Sequence, residues 1–253
     1  VRINIEKLSD LELLKKTKSN SVDLIFLDPP FNVKKNYDQY VDNLSEEDYY
    51  VWQKNVLLEC KRVLSESGNL IYHNIPKHCI ILANYMCEIN MVFHNWICWD
   101  NAGSMPTPSR LYPKHYPILW FSKTKKKIFN KQYTPVQRCR TCDATVKDYG
   151  GKYKSLKEMN GNKVTVLSDV WSDIHRLKHR KNKHRKANEL PYKLMERIIL
   201  MYSNENSVVL DLYLGTGTSA EVCIDYNRKF SGCDISSESI KQSNERVNKG
   251  KSE

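Results

Sequence analysis

Ser207-Val208-Val209-Leu210-Asp211-Leu212-Tyr213-Leu214-Gly215-Thr216-Gly217-Thr218 is the stretch on which the fold turns. A short apolar run stops at an acid, a tight turn with two glycines follows, and a helix is predicted from about Ser219. A second strand, Phe230-Ser231-Gly232-Cys233-Asp234, again ends in an acid. Strand, Gly-x-Gly turn, helix and strand make a crevice in which glycines let backbone approach a ligand. An acid about twenty residues on can accept hydrogen bonds from a ribose diol. A Gly-x-Gly by itself is equally a structural turn, and the spacing to Asp234 is what favours the nucleoside reading.

Working outward to the N-terminal side, Ser21-Val22-Asp23-Leu24-Ile25-Phe26-Leu27 is another nearly continuous apolar run, cut off by Asp28-Pro29-Pro30-Phe31. It reads as a buried parallel strand ending in a loop that two prolines stiffen. Extended residues around the prolines allow the Asp28 carboxylate and the Pro29 carbonyl to point the same way. Two neighbouring acceptors suit a planar –NH₂ group, and Phe31 can lie over the ring that carries it. Hydrogen bonds that pull such an amine towards pyramidal geometry free its lone pair for attack on an electrophile. The turn lacks the third glycine of a dinucleotide site, and no Gly-x-x-x-x-Gly-Lys-Ser/Thr phosphate loop occurs. The cofactor expected is a nucleoside without a pyrophosphate, and S-adenosylmethionine fits.

Between these two motifs the pattern is α/β. Ser45 to Leu64 is predicted as a helix, with Ser45 as N-cap, Asp48 three residues on, and Trp52, Val56, Cys60 and Val63 at helical spacing. A strand, Gly68 to Tyr72, follows a Gly turn, and Trp96 to Trp99 and Ile118 to Phe121 are strand-like. From Lys123 to Ser168 the apolar spacing is irregular, as in an inserted, loop-rich lobe. His175 to Lys186 then holds seven cations and no acid: Arg176, Lys178, Arg180, Lys181, Lys183, Arg185 and Lys186. Such a run is a flexible strip suited to phosphates. From Glu189 a helix resumes with Leu190, Leu194, Ile198 and Met201 on one face and Pro191 in its first turn. The fold class expected is a Rossmann-like, doubly wound, mainly parallel sheet. Its parts are a catalytic half at 1–122, a target-recognition lobe with the basic strip at 123–187, and a cofactor-binding half at 188–253.

Together the two motifs resemble those of DNA amino-methyltransferases. Asp28-Pro29-Pro30-Phe31 is similar to their catalytic tetrapeptide, and Asp211 to Thr218 to their cofactor motif, which more usually reads Asp-Pro-Phe-x-Gly-x-Gly-Thr. The order, with the catalytic motif first, a variable lobe next and the cofactor motif last, resembles the β group of these enzymes. The resemblance implies methyl transfer from S-adenosylmethionine to adenine N6 of a flipped-out base. It makes Asp28, Pro29, Pro30 and Phe31 catalytic, and Asp10, Asp28, Asp211, Tyr213, Gly215, Gly217, Thr218 and Asp234 cofactor-binding. Asp10, at the end of the first strand, matches the acid near the cofactor's adenine, and Asp234 the acid on its ribose. Two departures stand out: Leu212-Tyr213 replaces Pro-Phe, and Ser9 takes the place of a glycine.

Forty Lys and Arg against 29 Asp and Glu leave a net charge of +11, which favours a polyanionic partner. DNA is the partner expected, with a homodimer or a related methyltransferase-like subunit left open. No apolar run reaches the ~20 residues of a membrane span, and Val1 to Asp10 lacks a signal-peptide core, so an intracellular protein is expected. Cys60, Cys79, Cys87, Cys98, Cys223 and Cys233 sit in apolar segments and read as buried free thiols. Cys139 and Cys142 have the spacing of half a zinc site that His175 and His179 could complete. The surrounding cations oppose a dication, and no metal is expected. C5-cytosine chemistry is set aside because no Pro-Cys pair occurs. Two alternatives stay open: cytosine-N4 methylation with the same machinery, and a catalytically silent nucleic-acid-binding subunit of the same fold.

Overall fold

A computed structural model of the chain describes residues 2–37, 39–100, 108–109, 111–136, 157–159, 162–175 and 189–250. The basic residues 176–186, and Cys139 and Cys142, whose spacing is that of half a zinc site though no metal is expected there, lie outside the described residues. The chain divides into two compact units, residues 1–129 with 169–253, and residues 130–168.

In chain order the large unit contains β1 (Ile3–Glu6), α1 (Asp10–Lys16), β2 (Val22–Leu27), β3 (Asn36–Tyr37), β4 (Tyr40–Val41), α2 (Glu46–Val63), β5 (Leu64–His73), α3 (Pro76–Glu88), β6 (Val92–Asp100) and β7 (His115–Ser122). The small unit holds β8 (Tyr133–Pro135), β9 (Lys157–Met159) and β10 (Asn162–Val166). The large unit then continues with β11 (Val170–Trp171), α4 (Tyr192–Tyr202), β12 (Val208–Asp211), α5 (Thr218–Asp225), β13 (Lys229–Cys233) and α6 (Ser237–Gly250).

Eight strands form one sheet in the order β1-β13-β12-β2-β5-β7-β6-β11. Pairing is parallel from β1 to β5 and between β6 and β11, and antiparallel only where β7 meets β5 and β6. Alternate residues divide the two faces. Ile25, Leu27, Leu70, Tyr72, Leu119, Phe121 and Leu210 pack with Leu13, Leu14, Val56, Leu57, Cys79 and Leu82 of α1, α2 and α3. Leu24, Phe26, Ile71 and Val209 are equally buried on the opposite face. Helices α4, α5 and α6 form the second set, each touching the next. The expected doubly wound, mainly parallel sheet is the observed one. Among the described residues no helix is long and apolar enough to cross a membrane.

Several local expectations change. Gly68 lies within β5 rather than in a turn before it, beside a register shift against β2. A Cβ there would sit 2.8 Å from Leu64 Cδ2 and 2.9 Å from the Val22 carbonyl, so only glycine fits this irregularity. Asp10 opens α1 instead of ending a strand. Ser9 is its N-cap in a reciprocal capping box with Glu12, which accounts for a serine where a glycine is usual. Composition put Lys123–Phe129 in the lobe, but these residues stay with the large unit. Lys123 Nζ donates to the Leu64 carbonyl at 2.9 Å, and the Phe129 ring stacks on Trp120 at 5.1 Å. The small unit is not all loop, because β10 pairs antiparallel with both β8 and β9. Cys60, Cys79, Cys223 and Cys233 are buried thiols, whereas Cys87 is exposed near the end of α3 and Cys98 is half-buried.

Candidate active site

Parallel register brings the two sequence motifs together. Asp211 of β12 pairs with Phe26 of β2, so the Gly turn and the loop that starts at Asp28 leave adjacent strands at the same carboxyl-end edge. Glu6 of β1 pairs with Cys233 of β13, which carries Asp10 and Asp234 to that edge as well. A wound sheet places ligands at this position.

The turn is shaped by its own acids and by α6. Asp211 is buried; it accepts the Tyr213 N–H at 3.0 Å and the Ser219 hydroxyl at 2.5 Å. Burial pushes its carboxyl up to about 7, against the pull of those two donors, and the nearby charges of Asp28 and Asp234 raise it further. Asp234 accepts the Gly215 N–H at 2.9 Å and the Ser236 N–H at 2.8 Å. The two glycines differ in task. Gly217, at φ +84°, packs so tightly on α6 that a Cβ would lie 2.9 Å from Ser243 Cα; at Gly215, φ +54°, a Cβ would come no nearer than 4.0 Å to the Tyr213 carbonyl. Thr218 is buried, and its hydroxyl accepts from Arg246 Nη1 at 2.7 Å, while the same guanidinium reaches the Thr216 carbonyl at 3.2 Å. Asp211 and Thr218 thus hold the turn in shape, whereas Gly215 and Asp234 border the open side.

Asp10 is buried beside the turn. Its Oδ2 accepts the Tyr213 hydroxyl at 2.7 Å and the Trp52 indole N–H at 2.9 Å, and its Oδ1 accepts the Leu11 N–H at 2.7 Å. Desolvation raises its pKa, and these donors oppose the shift. The departure from Pro-Phe therefore has a physical use. A tyrosine at 213 adds a donor for a buried carboxylate, and Leu212 joins the core against α1 to α3.

The loop after β2 is clamped from four sides. Tyr49 of α2 donates to the Pro30 carbonyl at 2.9 Å, and His78 Nε2 of α3 lies 3.0 Å from the Phe31 carbonyl. Asp42, fully buried, accepts the Asn32 and Val33 N–H groups, each at 2.8 Å. Asn74 donates to both Tyr49 and Tyr72, which anchors the first of these contacts in the core. No described hydrogen bond takes the Pro29 carbonyl. Asp28 is itself paired: His73 Nδ1 lies 2.7 Å from Asp28 Oδ1. The aromatic rings of Phe31, Trp99 and Tyr116 surround this imidazole at 5.4 to 5.8 Å.

Sequence reasoning missed His73, Asp42, Tyr49 and Arg246. A signal existed for His73, since it follows directly on the predicted strand Gly68 to Tyr72, at the same sheet edge as Asp28. Asp42 and Arg246 had none, because they act on backbone reached only through the fold. Among the described residues no group of three or more His, Cys, Asp or Glu could hold a metal ion.

A family model described as DNA methylase matches residues 22–245. The type II methyltransferase M.BamHI of Bacillus amyloliquefaciens is 44% identical over 91% of this chain, which spans 55% of that protein's length. DNA adenine methyltransferase YhdJ of Escherichia coli (strain K12) is 31% identical over 90% of the chain and 76% of its own length. Among solved structures, the M1.HpyAVI–SAM complex superposes with a TM-score of 0.65 at 21% identity, covering 97% of this chain and 99% of that one. The cytosine-N4-specific PvuII DNA methyltransferase superposes with a TM-score of 0.70 at 17% identity, covering 100% and 91%.

Proposed function

Because the chain belongs to the DNA methylase family that modifies exocyclic amino groups, we propose that it methylates adenine N6 in DNA at specific sites, with S-adenosylmethionine as donor. The observation that carries this reading is the placement of Asp28, held by His73, one strand from the Gly215 turn and two from Asp234, which accepts that turn's Gly215 N–H.

The cofactor side suits such a nucleoside. A Cβ on Gly215 would meet nothing nearer than the Tyr213 carbonyl at 4.0 Å, which leaves room for a ligand against the backbone. Asp10 and Asp234 flank that room with Tyr213, and Asp211, Gly217 and Thr218 keep the turn in shape. Carboxylates gathered at this edge, in a chain of net charge +11, suit a sulfonium cation. Bound there, S-adenosylmethionine supplies an electrophilic methyl group.

On the target side, a base that leaves the duplex stack costs roughly a few kcal/mol and meets acceptors already in position. Asp28 and the Pro29 carbonyl accept the two amino hydrogens and draw the nitrogen towards pyramidal geometry. Pro30 stiffens the loop, and Phe31 covers the base. The buried Trp99 and half-buried Tyr116 help keep water away. Residues 130–168 and the cations 176–186 supply base reading and phosphate contacts respectively.

Asp rather than Ser before Pro-Pro favours adenine, and the similarity to YhdJ points the same way. Cytosine N4 is an amino group of the same kind, and the same acceptors would serve it. The test is to incubate the protein with duplex DNA and isotopically labelled cofactor, digest to nucleosides and identify the product by mass spectrometry. N6-methyladenine is expected. N4-methylcytosine would replace the base assignment, and no labelled base despite cofactor binding would indicate a silent subunit.

A further inference from the structure

We infer that His73 is a positioning residue for methyl transfer, one that aims both the acceptor carboxylate and the ring that covers the base. This role rests on the reading of Asp28 as the acceptor for the target amine.

The arrangement follows from register. Leu27 pairs with Tyr72 across β2 and β5, so the next residues, Asp28 and His73, emerge side by side. His73 in turn pairs with Ile118 of β7, and Tyr116 of that strand pairs with Trp99 of β6. Neighbouring strands thus supply the wall on which the imidazole rests. Trp99 is fixed by donation from its indole N–H to the Ile174 carbonyl at 2.7 Å.

An ionised carboxylate can only accept, so the proton between the two groups sits on His73 Nδ1. His73 Nε2 is buried and has no hydrogen-bond partner. A proton there would be a donor sealed away from water with nothing to receive it, a costly state. The imidazole is therefore built to make one hydrogen bond, to Asp28 Oδ1, and it is only 3% exposed.

Two consequences reach the target. With Oδ1 engaged, the carboxylate no longer rotates freely, and Oδ2 becomes the oxygen presented to the amine. Phe31 also meets the imidazole edge-on, with the ring planes at 68°, so its own orientation depends on the same side chain. Preorganised acceptors matter because misplacement by about 1 Å can cost ~100-fold in rate.

The experiment compares His73→Leu, which removes the donor, with His73→Asn, whose amide nitrogen can replace Nδ1. Single-turnover rate, cofactor affinity and DNA affinity are measured for each. His73→Leu is expected to lose roughly 10- to 100-fold in rate with cofactor affinity unchanged within about two-fold. His73→Asn should regain at least about a third of the lost logarithm of rate, because it restores the bond to Asp28 but not the packing against Phe31. Should His73→Leu fail to fold, nitrogen-15 spectra of histidine-labelled wild type and Asp28→Ala still decide. The His73 proton should reside on Nδ1 in the wild type and exchange much faster in the variant. Wild-type rate in His73→Leu, equal losses in the two His73 variants, or an unprotonated Nδ1 would each overturn the role. A wild-type protein that methylates no duplex would instead remove the methyl-transfer reading, and His73's role with it.

Discussion

Asp28 and Asp234 are both carboxylates at the end of a parallel strand, yet their surroundings predict different losses. Asp28 is partnered by a histidine, and its carboxylate is part-buried, at 22% exposed. Asp28→Ala should therefore reduce methyl transfer by more than ten-fold, a loss of over ~1.4 kcal/mol, with cofactor affinity nearly intact, because Asp28 is assigned to the target amine and not to the cofactor's nucleoside. Asp234 instead receives the Gly215 N–H inside the Gly turn proposed to hold the cofactor. Asp234→Ala should weaken cofactor binding by roughly 1.5–3 kcal/mol, the worth of a charged hydrogen bond. Calorimetric titration beside single-turnover assays separates the two, and interchanged effects would reverse the assignments. Asp211 carries a pH dependence. Its pKa rises from 3.8 unfolded to about 7 folded, mainly through burial, so the folded chain holds this proton more tightly than the unfolded one. Its contribution to stability is fully present below about 3.8 and is lost as pH climbs towards about 7. Wild type should therefore lose ground to Asp211→Asn between pH 4 and 7, ~3 units, and not beyond. Thermal melts of both proteins across that range check this, and a constant gap would show ordinary titration.

At the scale of elements, the loop from Pro29 to Lys34 owes its shape to residues outside it, Asp42, Tyr49 and His78. Asn32 and Lys34 take φ values of +52° and +61°, left-handed conformations that Asn accepts more readily than Lys. What holds them is Asp42, whose carboxylate accepts two backbone N–H groups while its own carbonyl accepts the Lys34 N–H at 2.8 Å. Asp42→Ala would leave those donors without their partner and release the loop. We expect roughly 2–4 kcal/mol less stability and a fall in methyl-transfer rate larger than any change in cofactor affinity. Chemical denaturation with parallel kinetics tests it, and a variant of unchanged rate would show that the prolines and Tyr49 suffice. The Gly turn follows the same logic, with α6 supplying Ser243 beneath Gly217 and Arg246 on Thr216 and Thr218.

For the whole molecule, the chain order of the motifs is undone by the sheet. Strands β12 and β13, last in sequence, insert between β1 and β2, so Asp10 and Tyr213, 203 residues apart in the chain, share one edge. Charge is also distributed by region: carboxylates gather at that edge, while seven cations lie in 176–186. If about four of these cations meet phosphates, replacing them with Gln should flatten the slope of log affinity against log salt by roughly 3 to 4 units. Preference for the cognate duplex should persist, since base reading is assigned to 130–168. Binding of cognate and scrambled duplexes over a salt series measures both. An unchanged slope would mark the strip as solvated surface, and a selective loss on the cognate duplex would show that it reads sequence.

Local chemistry made much of this legible in the sequence alone. Apolar runs that stop at an acid, a Gly-x-Gly turn and a proline-stiffened Asp28 are contiguous signals, because strand burial and turn geometry act over a few residues. They carried the wound sheet, both motifs and the expected cofactor. The start of α1 was less legible, since Ser9 and Glu12 form their capping box within one turn and displace the acid from strand end to helix start. What only the tertiary structure decided was which side chains complete each other across the fold. The Tyr213 hydroxyl on Asp10, Arg246 on Thr218, Asp42 on the loop and His73 on Asp28 each join residues that strand register and helix packing bring together. No spacing along the chain encodes them, because a hydrogen bond depends on distance in space, and here that distance is set by the order of strands in the sheet.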